Sequence, residues 1–238
     1  MSTFEHVLVE RDGAILWITI NRPQALNALN PLAHRELSLA LDSFADDAAL
    51  RVAVITGAGE RAFCVGSDLK ARATINADDH PPTGFGGISH RFDLAKPVIA
   101  ADHVEFGLPE PRVGLAALGG GGLQRLARHL PLKYAMDLVL TGRRFGAEEA
   151  KRIGLINDVV PRAELKAHVR AMAGMIIEGA PLAVEASKQV MLQSLAIPDL
   201  QTAFRAKYPV ADRMLASEDA KEGQRAFVEK RKPRWQGK

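Results

Sequence analysis

The spacing of apolar and polar residues changes period several times along the chain, and each change predicts an element. His6-Val7-Leu8-Val9-Glu10 is a short β-rich run, Arg11-Asp12-Gly13 carries an Asp-Gly turn signal, and Ala14 to Ile20 predicts a second strand. Asn21-Arg22-Pro23 breaks that strand. Asn30 before Pro31 reads as an N-cap with proline in the first helical position, and Leu37, Leu41 and Phe44 then share one helical face. Val52 to Thr56 is a buried strand closed by Gly57-Ala58-Gly59. Alternation of this kind predicts an α/β fold with a parallel sheet.

Residues 74–90, with Pro81-Pro82 and Gly84-Phe85-Gly86-Gly87, predict a long turn-rich loop of a length usually tied to function or motion. Lys96-Pro97-Val98-Ile99-Ala100 predicts another strand. Beyond Leu118-Gly119-Gly120-Gly121-Gly122 the pattern turns helical: Leu165, Val169, Met172 and Ile176 form one stripe, Ala183 to Leu195 a second helix. Ser217 caps a last helix expected to run through about Lys230 and to end before Pro233. The expected organisation is an α/β core over 1–160 followed by a helical region over 161–238.

Composition narrows the class. A chain of 238 residues, 47% hydrophobic and 25% charged, can bury a core without disulfides or metals. The single cysteine, Cys64, excludes an internal disulfide framework and a four-cysteine zinc module. The longest apolar runs, such as Ile15 to Ile20, are too short to span a bilayer, and Met1 to Glu5 is no signal peptide. A cytoplasmic protein with no membrane partner is expected. The formal charge of +3 is unevenly placed: Lys221 to Lys238 holds seven basic and two acidic residues, leaving 24 basic and 26 acidic elsewhere. The basic balance therefore belongs to the tail and does not imply a nucleic-acid partner; it fits either a solvated end or a small anionic ligand.

Several chemistries are excluded by motif. No G-x-x-x-x-G-K-[ST] is present, the Gly119 to Gly122 run lacks G-x-G-x-x-G spacing, no H-x-x-x-H pair occurs among the seven histidines, and Ser67 lies outside any G-x-S-x-G elbow. No metal site is expected. Two stretches carry more. In Ala62-Phe63-Cys64-Val65-Gly66-Ser67-Asp68-Leu69-Lys70, a glycine turn before a helical start leaves backbone N–H groups free to hold a developing oxyanion. In Glu105-Phe106-Gly107-Leu108-Pro109-Glu110-Pro111, a carboxylate sits in a stiff, apolar-flanked segment suited to acid–base work. Singly, the first is as easily a plain turn and the second a surface ion-pair member.

Together with three further motifs they form a pattern. These are Ile20-Asn21-Arg22-Pro23 with Ala25-Leu26-Asn27-Ala28-Leu29, Lys96 to Ala100, and Leu140-Thr141-Gly142 with Ala147-Glu148-Glu149-Ala150 and Gly154-Leu155-Ile156. In that order the chain resembles the enoyl-CoA hydratase/isomerase (crotonase) superfamily nearly end to end. The resemblance implies a ββα-spiral core with a C-terminal helical trimerisation region, and an acyl-CoA or enoyl-CoA thioester substrate in fatty acid metabolism. It implies no cofactor beyond the coenzyme A of the substrate, and a homo-oligomer, a trimer or dimer of trimers. It implies that the N–H of Ser67 is one oxyanion-hole donor and Glu110 the general acid/base. It further implies that Ala25, Leu26, Gly66, Asp68 and Leu69 line the path of the CoA moiety. Phe227 and Lys230 would touch the nucleotide, often from a neighbouring subunit. The charges of Arg231, Lys232 and Arg234 could join Lys230 around its phosphates, but of these four only Lys230 matches the family pattern. The activity implied is that of a lyase adding water to, or removing it from, an enoyl-CoA. The tail, Ser217 to Gly223 with Phe227 to Arg231, is also similar to the carnitinyl-CoA dehydratase branch.

One region departs from the family pattern. Lys96 to Ala101 runs almost directly into Asp102-His103-Val104-Glu105-Phe106, where the family carries a glycine-rich helix start, a second glutamate and another strand. A parallel crossover needs a dozen residues or more. The sequence therefore lacks the family's second oxyanion donor and second glutamate, through a genuine deletion or a segment left out of the sequence as written. With the deletion genuine, a catalytically silent acyl-CoA-binding homologue is the alternative. An intact mass of 25.7 kDa is the value expected for the deleted form.

Overall fold

The computed structural model describes residues 4–74, 80–101 and 105–238. Strands β1 (Val7–Asp12) and β2 (Ile15–Ile20) form the expected antiparallel hairpin, and Val7 pairs with Ile20 at its open end. Helix α1 (Pro31–Asp46) follows, and the Asn30 side chain accepts the Ala33 N–H at 2.8 Å, so the cap forms as expected. Strands β3 (Val52–Gly57) and β4 (Val98–Ala100) add in parallel, giving one sheet in the order β1-β2-β3-β4.

β4 starts two residues later than the sequence pattern predicts. The Lys96 ammonium is turned back onto the carbonyls of Phe44 and Asp47 at the end of α1, at 2.9 and 2.8 Å. Pro97 has no N–H to give a ladder, although its carbonyl accepts from Ala53 at 3.1 Å.

Successive residues of a strand face opposite sides. Leu16, Ile18 and Ile20 pack with Ala53 and Ile55 against Leu37, Leu41 and Phe44 of α1. Ile15 and Trp17 pack with Val52 and Val54 on the other side. Both faces are covered, which is why β2 is apolar at every position but Thr19 rather than alternating.

The rest of the chain is helical: α2 (Leu69–Thr74), α3 (Gly122–His129), α4 (Leu132–Thr141), α5 (Ala147–Arg152), α6 (Arg162–Ile177), α7 (Pro181–Ser194), α8 (Leu200–Arg205), α9 (Pro209–Leu215) and α10 (Glu218–Val228). Val169 and Ala173 of α6 close the far face of the sheet. Lys188 of α7 donates to the carbonyls of Leu94 and Lys96, at 2.9 and 2.7 Å, so the helical region also fixes the approach to β4. A separate apolar cluster of Leu130, Leu138, Phe145 and Ile153 underlies the segment carrying Glu110. No helix among the described residues is long and apolar enough to cross a membrane.

Ser217 caps α10 by accepting the Ala220 N–H, but the helix stops at Val228. Lys230 then adopts φ +54°, and the Arg231 N–H reaches the Ala226 carbonyl at 3.0 Å. This closing turn normally uses glycine at the left-handed position. The residues beyond it fold back. Asp219 accepts the N–H groups of Gln236 and Gly237, and Trp235 Nε1 donates to the Glu178 carbonyl. Arg231 is committed to Glu222 and Glu229, and the Arg231 contact holds the Glu222 carboxyl at about 2. The tail is thus a packed strap whose charges are in part already paired.

Within the loop expected over 74–90, residues 75–79 lie outside the described residues. The remainder is pinned to α1. A 3₁₀ turn at Phe85–Gly87 places the Gly86 N–H 2.9 Å from His34 Nδ1, and Thr83 Oγ1 lies 2.8 Å from Ser38 Oγ. Gly87 sits at φ +66°, and a Cβ there would stand 2.4 Å from the Ser38 backbone nitrogen. Gly87→Ala is therefore expected to lower the unfolding free energy by about 2–4 kcal/mol, from left-handed strain plus overlap. Urea unfolding measures it; a loss below about 1 kcal/mol would show that the turn can leave α1 freely.

Candidate functional site

The Ser67 turn is built by the chain between β2 and α1. Asn27 is fully buried at φ +56°, and its Nδ2 donates to the carbonyls of Ala58 and Ala62 at 2.9 and 2.7 Å. Its Oδ1 accepts the Arg22 N–H at 2.9 Å. Arg22 in turn donates to the Ala28 carbonyl and meets Asp68 Oδ2 at 2.9 Å, with both side chains largely buried. Asp68 Oδ1 caps α2 by accepting the N–H groups of Lys70 and Ala71. Burial pushes the Asp68 carboxyl up, but the bonds from Arg22 and from these N–H groups, with the Arg22 charge, bring it below its ordinary value.

This network sets Leu29 beside Ser67 in a parallel bridge. The Leu29 N–H donates to Gly66 O at 2.8 Å, and the Asp68 N–H donates to Leu29 O at 2.9 Å. In an extended segment consecutive N–H groups point to opposite sides. The Ser67 N–H is thus directed away from Leu29 and forms no bond among the described residues, as an oxyanion donor requires. Gly66, Ser67, Asp68 and Leu69 are contiguous, and Ala25 and Leu26 join them through Arg22: the N–H groups of Ala25 and Asn27 both donate to its carbonyl.

Glu110 is presented by a second framework. Phe106 and Phe145 exchange both backbone hydrogen bonds, at 2.9 and 3.0 Å, and their rings stack with centroids 5.5 Å apart. Glu110 opens a 3₁₀ turn ending at Gly114, whose stiffness comes from Pro109 and Pro111. Arg112 Nε ties that turn to the Thr141 carbonyl at 2.8 Å. Glu110 Oε2 is buried and has no partner among the described residues, so this oxygen has been withdrawn from water without being committed to a donor.

The segment pinned to α1 comes close to a neighbour of each framework. A Cβ on Gly86 would stand 3.7 Å from Leu29 Cδ1, and one on Gly120 would stand 3.9 Å from Phe85 Cδ1. Leu29 belongs to the Ser67 bridge, and Gly120 to the loop that follows the Glu110 turn. Phe227, 86% exposed, and Lys230 stand apart at the surface end of α10, and nothing among the described residues ties them to either framework.

These features agree with what the chain is similar to. The family model described as enoyl-CoA hydratase/isomerase matches residues 10–101 and 86–238. The chain belongs to the enoyl-CoA hydratase/isomerase family. It is 40% identical to a carnitinyl-CoA dehydratase of Escherichia coli K12, over 98% of this chain and 99% of that protein. It also superposes on an enoyl-CoA hydratase from Mycobacterium tuberculosis H37Rv with TM-score 0.90 and 38% identity, covering 98% of this chain and 99% of that one. For an enoyl-CoA hydratase from Bacillus anthracis the values are 0.89, 31%, 98% and 100%. The crotonase-type fold is thereby established.

The alignment with the Escherichia coli relative spans 265 positions against a chain of 238 residues, so at least 27 positions have no counterpart here. Asp102 to Val104, at the junction expected from the motif order, lie outside the described residues. Between β4 and Phe106 only Ala101 and Glu105 are described. Val113, Leu115 and Leu118, just past Glu110, are left exposed.

Sequence reasoning passed over Arg22 and Asn27 as functional residues, although both lie in a motif it used. The signal was a polar pair flanking Ala25 and Leu26 where the chain must reverse without glycine. It also passed over His34. Burial, with His80 beside it, holds the His34 imidazole down at about 4 against an ordinary 6.5, so Nδ1 stays an acceptor for Gly86. The unfolded chain takes up a proton below about 6.5, whereas the folded one resists until about 4. The stabilisation is therefore full above pH 6.5, is lost as pH falls towards 4, and amounts to about 3 kcal/mol. His34→Asn keeps an acceptor but does not titrate. Urea unfolding between pH 7 and 4 is expected to show the wild type losing about that much more than the variant; parallel curves would remove His34 as the cause.

Proposed function

We propose that this protein is a hydratase-type lyase that adds water across the double bond of a 2-enoyl-CoA, or removes it in reverse. The observation that carries the reading is the unpaired Ser67 N–H, held in a fixed bridge, in a molecule whose second framework presents Glu110 with one carboxyl oxygen buried and unpaired among the described residues. The thioester oxygen accepts the Ser67 N–H and takes up negative charge as water oxygen bonds to Cβ. Glu110 removes the proton of that water and delivers it to Cα, and the enolate electrons close the new C–H bond. With Glu110 acting alone, the proton taken from water is the one returned to carbon, and the sum is one water added. Among the described residues no cluster of His, Cys, Asp or Glu could hold a metal ion.

A missing second oxyanion donor costs about 3 to 4 kcal/mol of transition-state stabilisation, so turnover is expected to be slow for this chemistry. Glu110→Gln is expected to reduce hydration of crotonyl-CoA, followed by loss of enoyl absorbance, by about a hundredfold or more. Ser67→Ala, which keeps the N–H, should stay within about twofold. Equal rates for wild type and Glu110→Gln would sink the role given to Glu110, and tight binding without turnover would favour the silent acyl-CoA binder. The 40% identity to carnitinyl-CoA dehydratase favours a second reading, dehydration of carnitinyl-CoA, separated by comparing the two substrates directly.

Ala25, Leu26, Gly66, Asp68 and Leu69 are read as the wall of the CoA path, and Phe227 and Lys230 as contacts to its nucleotide across a subunit boundary. Exposed Leu200, Phe204, Leu215, Phe227 and Val228 support a homo-oligomer; a trimer or dimer of trimers, in the cytoplasm, is the form we propose for it. Lys230 gives this part its test. A lysine in the left-handed region costs about 1–2 kcal/mol relative to glycine, so Lys230→Gly should raise the melting temperature. If the ammonium meets CoA phosphate, the same variant should weaken acyl-CoA binding in a salt-dependent way. Unchanged affinity would return the tail to a structural role.

A further inference from the structure

We propose that Arg22, through its ion pair with Asp68, is a positioning residue that holds the Ser67 N–H on the thioester oxygen. The inference rests on the hydratase reading above and deepens it by naming what sets the direction of its donor. A trans peptide points its N–H opposite to its own carbonyl. In the peptide joining Gly66 to Ser67, the carbonyl accepts the Leu29 N–H at 2.8 Å, and that bond aims the Ser67 N–H. The plane has little else of its own to steady it. Leu29 and Ser67 form an isolated bridge outside the sheet. Gly66 stands at φ +97°, and a Cβ there would meet nothing within 4 Å, so no packed group stands on that side to hold the plane.

Arg22 supplies the fastening. Its guanidinium donates to the Ala28 carbonyl and meets Asp68 Oδ2 at 2.9 Å. Ala28 directly precedes Leu29 and Asp68 directly follows Ser67, so one rigid, planar group joins the chain on both sides of the bridge. Asp68 is fixed through its other oxygen, Oδ1, which accepts the N–H groups of Lys70 and Ala71 at 3.1 and 3.2 Å. Arg22 is fixed in turn: its N–H donates to Asn27 Oδ1, and its carbonyl accepts from Ala25 and Asn27, each at 2.9 Å. The Arg22 and Asp68 side chains are 11% and 15% exposed, so removing one leaves the other charge with little water to turn to. The segments carrying them would shift to regain solvent, and the peptide at Ser67 would turn with them. A displacement of about 1 Å from the productive geometry can cost about a hundredfold in rate.

Two conservative variants test this on the full chain. Arg22→Lys keeps the charge and loses the planar fork. Asp68→Asn is isosteric, keeps an oxygen for the N–H groups of Lys70 and Ala71, and loses the charge that Arg22 meets; it carries the test if Arg22→Lys does not fold. Each is expected to lower kcat for crotonyl-CoA hydration by about tenfold or more, with KM changed less than about threefold. The double variant should be about as slow as the slower single one, because the two side chains act as a unit. Infrared spectra of bound butyryl-CoA, isotopically labelled at the thioester carbonyl, give a readout that a merely structural role leaves unmoved. The wild type should show the C=O stretch lowered by the Ser67 N–H, and both variants should return it towards its free value. This arm needs no turnover, so it also decides the matter in a catalytically silent binder. An unchanged carbonyl stretch in the folded variants overturns the proposal, even where their melting temperature falls. A raised KM at wild-type kcat overturns it too, as the mark of a lost CoA contact, and so do losses that multiply in the double variant. A wild type that neither binds butyryl-CoA nor hydrates crotonyl-CoA strikes the hydratase reading itself, which is a different result.

Discussion

Everything placed near Ser67 depends on one buried amide. Asn27 has no solvent to fall back on, and its side chain joins three stretches of backbone: residue 22, residue 58 and residue 62. Leaving such groups unpaired costs about 1–3 kcal/mol each, so the chain around 22–29 has one low-energy arrangement. That arrangement aims Arg22 at Asp68, which starts α2, and it sets Leu29 in register with Ser67. A backbone donor can be preorganised only if its own strand cannot slide. Here the register is fixed from the side by an asparagine with no part in the proposed chemistry.

The pinned 80–90 segment extends the same logic to the other half of the site. Its grip on α1 relies on a neutral imidazole as acceptor and on glycines that let backbone meet backbone. The sheet-side core fixes α1, α1 fixes the Phe85 turn, and the turn spans to the loop behind Glu110. Core packing is thus transmitted to the site through contacts that tolerate little displacement.

Local signals were legible in the sequence, and they concern groups satisfied by near neighbours. Asn30 with Pro31, the Leu37, Leu41 and Phe44 stripe, the Asp-Gly hairpin and the Ser217 cap are all answered within a few residues of chain. The start of β4 was not legible, because Lys96 is drawn off by carbonyls of residues 44 and 47. Nor was the end of α10, where a lysine occupies a glycine position and the returning strap takes Asp219 and Glu222 as partners. The candidate site divides the same way. Ser67 and Glu110 could be proposed from motif order, whereas the contacts of Asn27 and His34 arise only across the fold. The shortening between Ala101 and Phe106 was visible as a spacing impossible for a crossover. Val113, Leu115 and Leu118, a little further along, are exposed.

The bridge at Leu29 also bears on how residue 67 tolerates variation. The group that faces the substrate in the proposed chemistry belongs to the main chain, and every amino acid except proline supplies it identically. Side-chain exchange at 67 therefore samples shape and solvation while leaving the donor in place, and a mutational scan would rank the position as permissive. Its constraint is borne by residues 22, 27 and 68, which hold the peptide plane. Only replacing the amide by an ester at that bond would address the donor itself.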